Sequence, residues 1–356
     1  MTRFLQDILR QPGELQRAIH YLAGAGRRSL EEAAGKVRGA SHVYLTGIGS
    51  SWHAALCAGP LFSDGARPVY LQDAAELLYF ATFPHDAVIV AISRTGKSVE
   101  IVRLLEKARR SGASVIGITN AEDGPLAHEA QIPIIVPVTF DHGISVNTYS
   151  TLAAAAGLLA YATLKSVDGT VVGALSRLIE QTAQSMAGWQ ERMGETTWLM
   201  PGATHYFLAR GSSLGSCHEA RLLWEEGAKL PATAIGTSSF RHGPQEIVAE
   251  DLRFGIWIDG RRMRAEDLAV ALDLRRLGAA VMLIGQGLPE DAGDLVIQLP
   301  ETLPEWQFLI DAIPAQLAAE HMARLSNVDC DSFRLCSYVV EDDHGLLQEK
   351  AKVPKK

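Results

Sequence analysis

The 356-residue sequence contains only four cysteines, Cys57, Cys217, Cys330 and Cys336, and none of them form a C-x-x-C pair. That scatter excludes a locally encoded zinc site or disulfide framework, so the four are expected to be reduced and mostly buried thiols. Long apolar runs are missing too. The strongest, Ala87–Ile92 and Ile132–Val138, fall far short of the roughly 18–20 residues of a membrane-spanning helix. Residues 1–24 mix Arg3, Asp7, Arg10, Glu14 and Arg17 into their apolar positions, which excludes a secretory signal core. A cytoplasmic location without membrane association is expected. Excess positive charge is also absent: the formal net charge is −8 and the sequence pI about 5.8. A broad nucleic-acid-binding face is therefore not expected, and any phosphate bound is small. Neither G-x-x-x-x-G-K-[ST] nor G-x-G-x-x-G occurs, and no His/Glu/Asp cluster has zinc spacing, so no nucleotide, cofactor or metal is expected.

What is present describes an ordinary packed protein, with 47% hydrophobic and 21% charged residues and enough length for two domains. Residues 3–37 have helical spacing (Phe4, Ile8, Leu9, then Leu15, Ile19, Leu22) arranged around a turn expected at Pro12. From Ser41 short apolar runs alternate with helical stretches. Val43–Leu45, Pro68–Leu71, Val88–Ile92, Val115–Thr119 and Ile132–Val138 are the strand candidates. That alternation implies an α/β fold with a doubly wound, mainly parallel sheet. A long helical region then runs from Tyr149 through Leu164 to about Met193, after which the order restarts. Val43–Trp52 recurs as His205–Leu214, 162 residues later, and Tyr206–Leu208, Phe254–Ile258, Val281–Ile284 and Leu295–Leu299 supply a second set of strands. The pattern is that of a duplication. The expected organisation is a helical lead-in (1–40), a first domain (41–165), an inter-domain helical segment (166–200), a second domain (201–341) and a polar tail (342–356).

Two loops carry chemistry. Gly47-Ile48-Gly49-Ser50-Ser51 closes a strand and opens an alanine-rich helix, which lets backbone N–H groups face an anion. The run Ala87–Ile92 leads straight into Ser93-Arg94-Thr95-Gly96-Lys97-Ser98, crowding three hydroxyls, an arginine and a lysine at the carboxyl edge of a parallel sheet, where open α/β folds bind ligands. Hydroxyls, loop amides and a helix N-terminus together suit a phosphate monoester. Farther on, Glu219 and Glu226 lie seven apart on one helix face, and His242 sits in a loop ended by Gly243-Pro244. The second half has no equivalent of Ser93–Ser98. It reads Gly260-Arg261-Arg262-Met263-Arg264, expected as a solvated basic turn.

The Gly49-Ser50-Ser51 turn, the Ser93–Ser98 loop, Gly143-Ile144-Ser145 before a helix, and Glu219–Glu226 followed by His242-Gly243-Pro244 together resemble the sugar-isomerase (SIS) domain family, in particular the isomerase half of glucosamine-6-phosphate synthases. The resemblance runs from Ile8 to about Glu341. It implies two tandem SIS domains, a phosphosugar substrate, and substrate or phosphate contacts at Ser51, Ser93, Arg94, Thr95, Ser98 and Ser145. It also implies Glu226 as the base for an aldose–ketose-type shift, His242 as the group that opens the sugar ring, and a homodimer in which the His-Gly-Pro loop reaches the neighbouring site. No glutaminase activity is expected, because the chain starts Met1-Thr2 without that half's nucleophilic cysteine. Two family lysines are missing. Leu223 stands three residues before Glu226, and the stretch Asp329–Ser337 holds no lysine, the nearest later one being Lys350. A Schiff base with an enzyme amine is thereby put in doubt. The expected activity is a phosphosugar isomerase, or an aminosugar-phosphate isomerase, deaminase or deglycase. The rival is a non-catalytic phosphosugar-binding regulator.

Overall fold

The computed structural model describes residues 1–301, 303–342 and 345–346; Lys350 and most of the tail lie outside them. Two helices lead in, α1 (Arg3–Ala23) and α2 (Arg27–Gly39). The turn expected at Pro12 does not occur. α1 runs through Pro12, whose ring is buried, and the break comes at Gly24–Gly26. The apolar face on either side, Phe4, Ile8, Leu15, Ile19 and Leu22, is almost wholly buried, which outweighs the single helical hydrogen bond that proline removes.

β1 (Val43–Thr46), α3 (Ser50–Asp64), β2 (Tyr70–Leu71), α4 (Ala74–Tyr79), β3 (Val88–Ser93), α5 (Val99–Ser111), β4 (Ser114–Thr119), α6 (Pro125–Glu129) and β5 (Ile132–Ile135) follow. Their strands form one parallel sheet ordered β2-β1-β3-β4-β5. α7 (Asn147–Leu164) and α8 (Gly169–Glu195) lead to the second half: β6 (Thr204–Ala209), α9 (Ser213–Leu223) with a π-helical turn at Trp224–Ala228, β7 (Ala232–Gly236), α10 (Thr237–Phe240), β8 (Leu252–Trp257), α11 (Arg264–Arg276), β9 (Ala280–Gly285), β10 (Leu295–Gln298) and α12 (Ile313–Leu325). Its sheet is again parallel and five-stranded, ordered β7-β6-β8-β9-β10. Numbered within each half, the two strand orders are identical. The turns after β1 and β6 repeat as well, with Gly49 at φ +56° and Gly211 at φ +55°, a conformation that favours glycine.

β3 and β8, central in their sheets, are buried at every position, as strands covered on both faces should be. Each sheet has its own apolar cluster on one face, around Ile89, Leu104 and Val115 in the first and Phe254, Leu274 and Val281 in the second. A larger cluster joins the remaining faces through α1, α3, α7, α9 and α12. α3 and α9 meet at Gly215, where a Cβ would stand 2.3 Å from the His53 carbonyl oxygen and 2.4 Å from Cys57 Sγ. Gly215→Ala is expected to cost about 2 kcal/mol through forced separation of these helices, read from chemical unfolding midpoints.

Arg261 and Arg262 lie in an exposed turn, as expected, and both pair with Asp64 at the end of α3, so the loop after β8 meets the first half through surface ion pairs.

Candidate functional site

The carboxyl ends of β1 and β3 open onto a cleft of about 340 Å³, at the point in the first sheet where strand order reverses. Its floor comes from two βα turns. β1 ends in Gly49, whose positive φ turns the chain into α3, so Ser50 and Ser51 sit in the helix's first turn facing the cleft. β3 ends at Ser93, and Arg94, Thr95 and Ser98 continue along the wall, Ser98 being the N-cap of α5 with a side chain that makes no capping bond. Ser145, just before α7, and Glu226, in the π-helical turn after α9, complete the inner wall. Residues 336–340 and Phe333 form the outer wall, tied to α5 by a hydrogen bond from Val99 N to the Val340 carbonyl of 3.0 Å.

Seven of the eight candidate residues therefore line one cleft: Ser51, Ser93, Arg94, Thr95, Ser98, Ser145 and Glu226. His242 does not. It is exposed in the turn after α10 and makes no part of the cleft lining of its own chain. Lys97, inside the phosphate-type loop, turns away and pairs with Asp123 at 2.8 Å. The Arg94 guanidinium lies 3.9 Å over the Tyr338 ring and donates to the carbonyls of Tyr338 and Gly143, so it joins the loop to the outer wall. Leu223 is fully buried, and no lysine is among the described residues that line the cleft. Lys229 directs its amine to the carbonyls of Glu226 and Ser332.

Burial pushes the Glu226 carboxyl up to about 7, the nearby Glu219 adding to the rise and Arg94 and Lys229 opposing it. Glu219 itself is wholly buried, and burial raises it to about 8. Its carboxyl accepts from Ser50 Oγ at 3.0 Å and lies 2.6 Å from His53 Nδ1. Burial also lowers His53, to about 3, so the two groups share one proton rather than standing as an ion pair. A carboxyl that titrates near neutrality, beside a ring of hydroxyls and two helix N-termini, is equipped to hold an anion and to move a proton on what is attached to it.

Sequence reasoning passed over Ser50 and the outer wall. Ser50 was one residue from a named candidate, and its significance lies in a partner 169 residues away. Residues 333–340 carry no periodic pattern, and their place is set by Arg94 and the start of α5. A larger groove of about 720 Å³ runs between α8 and the chain after β10, and none of the candidate residues lines it.

Residues 36–164 match the SIS domain family. Over 340 residues the chain is 22% identical to a glutamine–fructose-6-phosphate aminotransferase (isomerizing) of Pyrobaculum aerophilum, a match that covers 93% of this chain and 56% of that protein. The chain thus spans about half the length of the curated relatives it matches. Among solved structures it is similar to the C-terminal domain of glucosamine-fructose-6-phosphate aminotransferase from Francisella tularensis, with TM-score 0.81, 18% identity and coverage of 93% and 98% of the two chains. It is also similar to glucosamine-6-phosphate deaminase from Thermotoga maritima, with TM-score 0.77, 20% identity and coverage of 95% and 99%. At these identities the structural likenesses establish the fold.

Proposed function

We propose that this SIS-domain protein, which resembles the isomerase half of glutamine–fructose-6-phosphate aminotransferase, binds a hexose 6-phosphate or its amino derivative and shifts a proton beside the carbonyl or imine carbon. The observation that carries this reading is the presence, in one cleft, of Glu226 poised near neutrality and the hydroxyl loop Ser93–Ser98. The phosphate sits among Ser93, Thr95, Ser98 and the N-termini of α3 and α5, where hydroxyl and amide donors meet favourable helix dipoles. Glu226 in its carboxylate form takes the proton from the carbon next to the carbonyl or imine. The electron pair moves onto the carbonyl oxygen or imine nitrogen, which takes the proton of the hydroxyl on the neighbouring carbon by way of the enediol or enolamine. The same carboxyl returns its proton to the former carbonyl or imine carbon, and the neighbouring carbon is left as the new carbonyl. No imine to an enzyme lysine is invoked, in keeping with Leu223 and with the lack of lysine among the described residues that line the cleft.

The second sheet, with the strand order of the first, is read as a second SIS domain that serves as scaffold. His242, exposed on its own subunit, is assigned to the site of a partner subunit in a homodimer, where it opens the sugar ring. The regulatory reading, in which the cleft binds a phosphosugar without turning it over, draws its support from the same missing amine. Proton exchange at the sugar separates the two.

Calorimetry with fructose and fructose 6-phosphate tests the anchor. Each hydrogen bond to a charged group contributes about 1.5–3 kcal/mol, so two or more of them make the phosphorylated sugar at least about 10²-fold tighter. Equal affinity would refute the phosphate assignment.

A further inference from the structure

The hydroxyls of the cleft differ in which way their single proton points, and hydrogen bonds inside the protein fix the direction. Ser93 Oγ accepts from Gly96 N at 3.1 Å, and Thr95 Oγ1 from Lys97 N at 3.3 Å. Neither hydroxyl donates to any described residue, so both protons are left for the cleft. A hydroxyl has one proton and two lone pairs, so these two present donors.

Ser145 and Ser50 are set the other way. Asp141, with a side chain wholly inside the protein, accepts from Val146 N, Asn147 N, Thr148 N, Asn147 Nδ2 and Thr148 Oγ1 at 2.7–3.1 Å. Five donors converge on its two oxygens, so Asp141 acts only as an acceptor here. Thr148 therefore spends its only hydroxyl proton on Asp141. The contact of 2.6 Å between Ser145 Oγ and Thr148 Oγ1 must then be donated by Ser145. Ser145 is left with lone pairs alone for the cleft. At Ser50 the buried carboxyl of Glu219 does the same. Its shared proton lies on the short contact to His53, and the other carboxyl oxygen accepts from Ser50 Oγ.

We propose that Asp141, through Thr148, and Glu219, braced by His53, are positioning residues that turn Ser145 and Ser50 into obligate acceptors. The cleft then has donors at the Ser93–Thr95 end and acceptors at the Ser50–Ser145 end. It selects phosphosugars that place a hydroxyl or amino N–H or O–H donor, not an ether or carbonyl oxygen, against each of these two serines. This rests on the phosphosugar reading above and refines it to a donor-bearing polyol or aminopolyol phosphate.

The test is calorimetry with glucose 6-phosphate and fructose 6-phosphate and with analogues that carry fluorine in place of each hydroxyl in turn, since fluorine keeps the size and removes the donor. Two positions on the better-bound parent are expected to lose about tenfold in affinity, the cost of leaving a buried acceptor unpaired. Thr148→Val, at a fully buried residue outside the cleft lining, frees the Ser145 proton. In that variant the hydroxyl-to-fluorine ratio should fall towards one at a single position while the other keeps its tenfold ratio. Ser145→Ala should abolish discrimination at that same position, and Ser50→Ala at the other. A general packing defect would weaken every analogue alike and leave the ratios unmoved. Binding of the parents with no fluorine-sensitive position, or ratios unchanged in all three variants, overturns the proposal. Failure of both parent sugars to bind the wild-type protein overturns the phosphosugar reading itself, and this refinement with it.

Discussion

Glu226→Gln should lower exchange of the substrate's C1 or C2 hydrogen with deuterated solvent by at least about 10²-fold, the lower end of what a general base contributes, with phosphosugar affinity little changed. Glutamine keeps the size of the side chain and one acceptor oxygen and removes only the basic group. In the wild type the carboxyl titrates near 7, so the exchange rate should fall about tenfold per unit as pH drops below 7. Stability gives a second, independent reading of the same group. The folded chain holds this proton up to about 7, whereas the ordinary value is 4.5. Between those values the folded state binds more protons than the unfolded one, so wild-type stability falls as pH rises through the window. The variant lacks that penalty. Its melting temperature should exceed wild type at pH 8 and match it at pH 4. Unchanged exchange would assign the base elsewhere. Tight phosphosugar binding without exchange in the wild type would favour the regulatory reading.

Asp141→Ala is expected to be the most destabilising single change near the cleft, at about 4 kcal/mol. The carboxylate satisfies three backbone amides at the start of α7 together with Asn147 and Thr148, all of them buried. Removing it leaves five donors without their acceptor in a place closed to water, the situation in which the desolvation penalty is felt in full. For a chain of this size that corresponds to a fall in melting temperature of roughly 5 °C, measurable by calorimetry. A fall below 1 °C would mean that other groups or water replace the carboxylate.

The sequence discloses what local pattern encodes. Apolar runs mark nine of the ten strands found among the described residues, and the recurrence of Val43–Trp52 at His205–Leu214 anticipates the matched strand orders. β7 escapes because Ala232-Thr233-Ala234-Ile235-Gly236 is a half-buried edge strand with small residues, held by pairing with β6 rather than by its own pattern. Pro12 misleads because helix-breaking is a local cost and the buried face of α1 is a tertiary gain. At the site, the Ser93–Ser98 loop is legible since strand, hydroxyls and helix start are contiguous. Glu226 is legible only through the resemblance carried by Glu219–Glu226 and His242-Gly243-Pro244, since the π-helical turn at Trp224–Ala228 interrupts the α-helical spacing from Glu219. The links from Ser50 to Glu219 and from Thr148 to Asp141 are not, for a hydroxyl's direction depends on which acceptor the fold brings to it. The same holds for Arg261 and Arg262, whose acidic partner Asp64 lies almost two hundred residues away in the chain.

α3, 15 residues long, carries at its first residue part of the cleft floor, at His53 the partner of Glu219 behind it, and at its last residue the Asp64 that pairs with the loop after β8. The loop that in the first half lines the cleft has as its counterpart in the second a loop whose two arginines pair with the far end of this same helix. The two copies of the fold are thus used unequally: the loop after β3 lines the cleft, while the loop after β8 meets the opposite end of the helix that starts at the cleft.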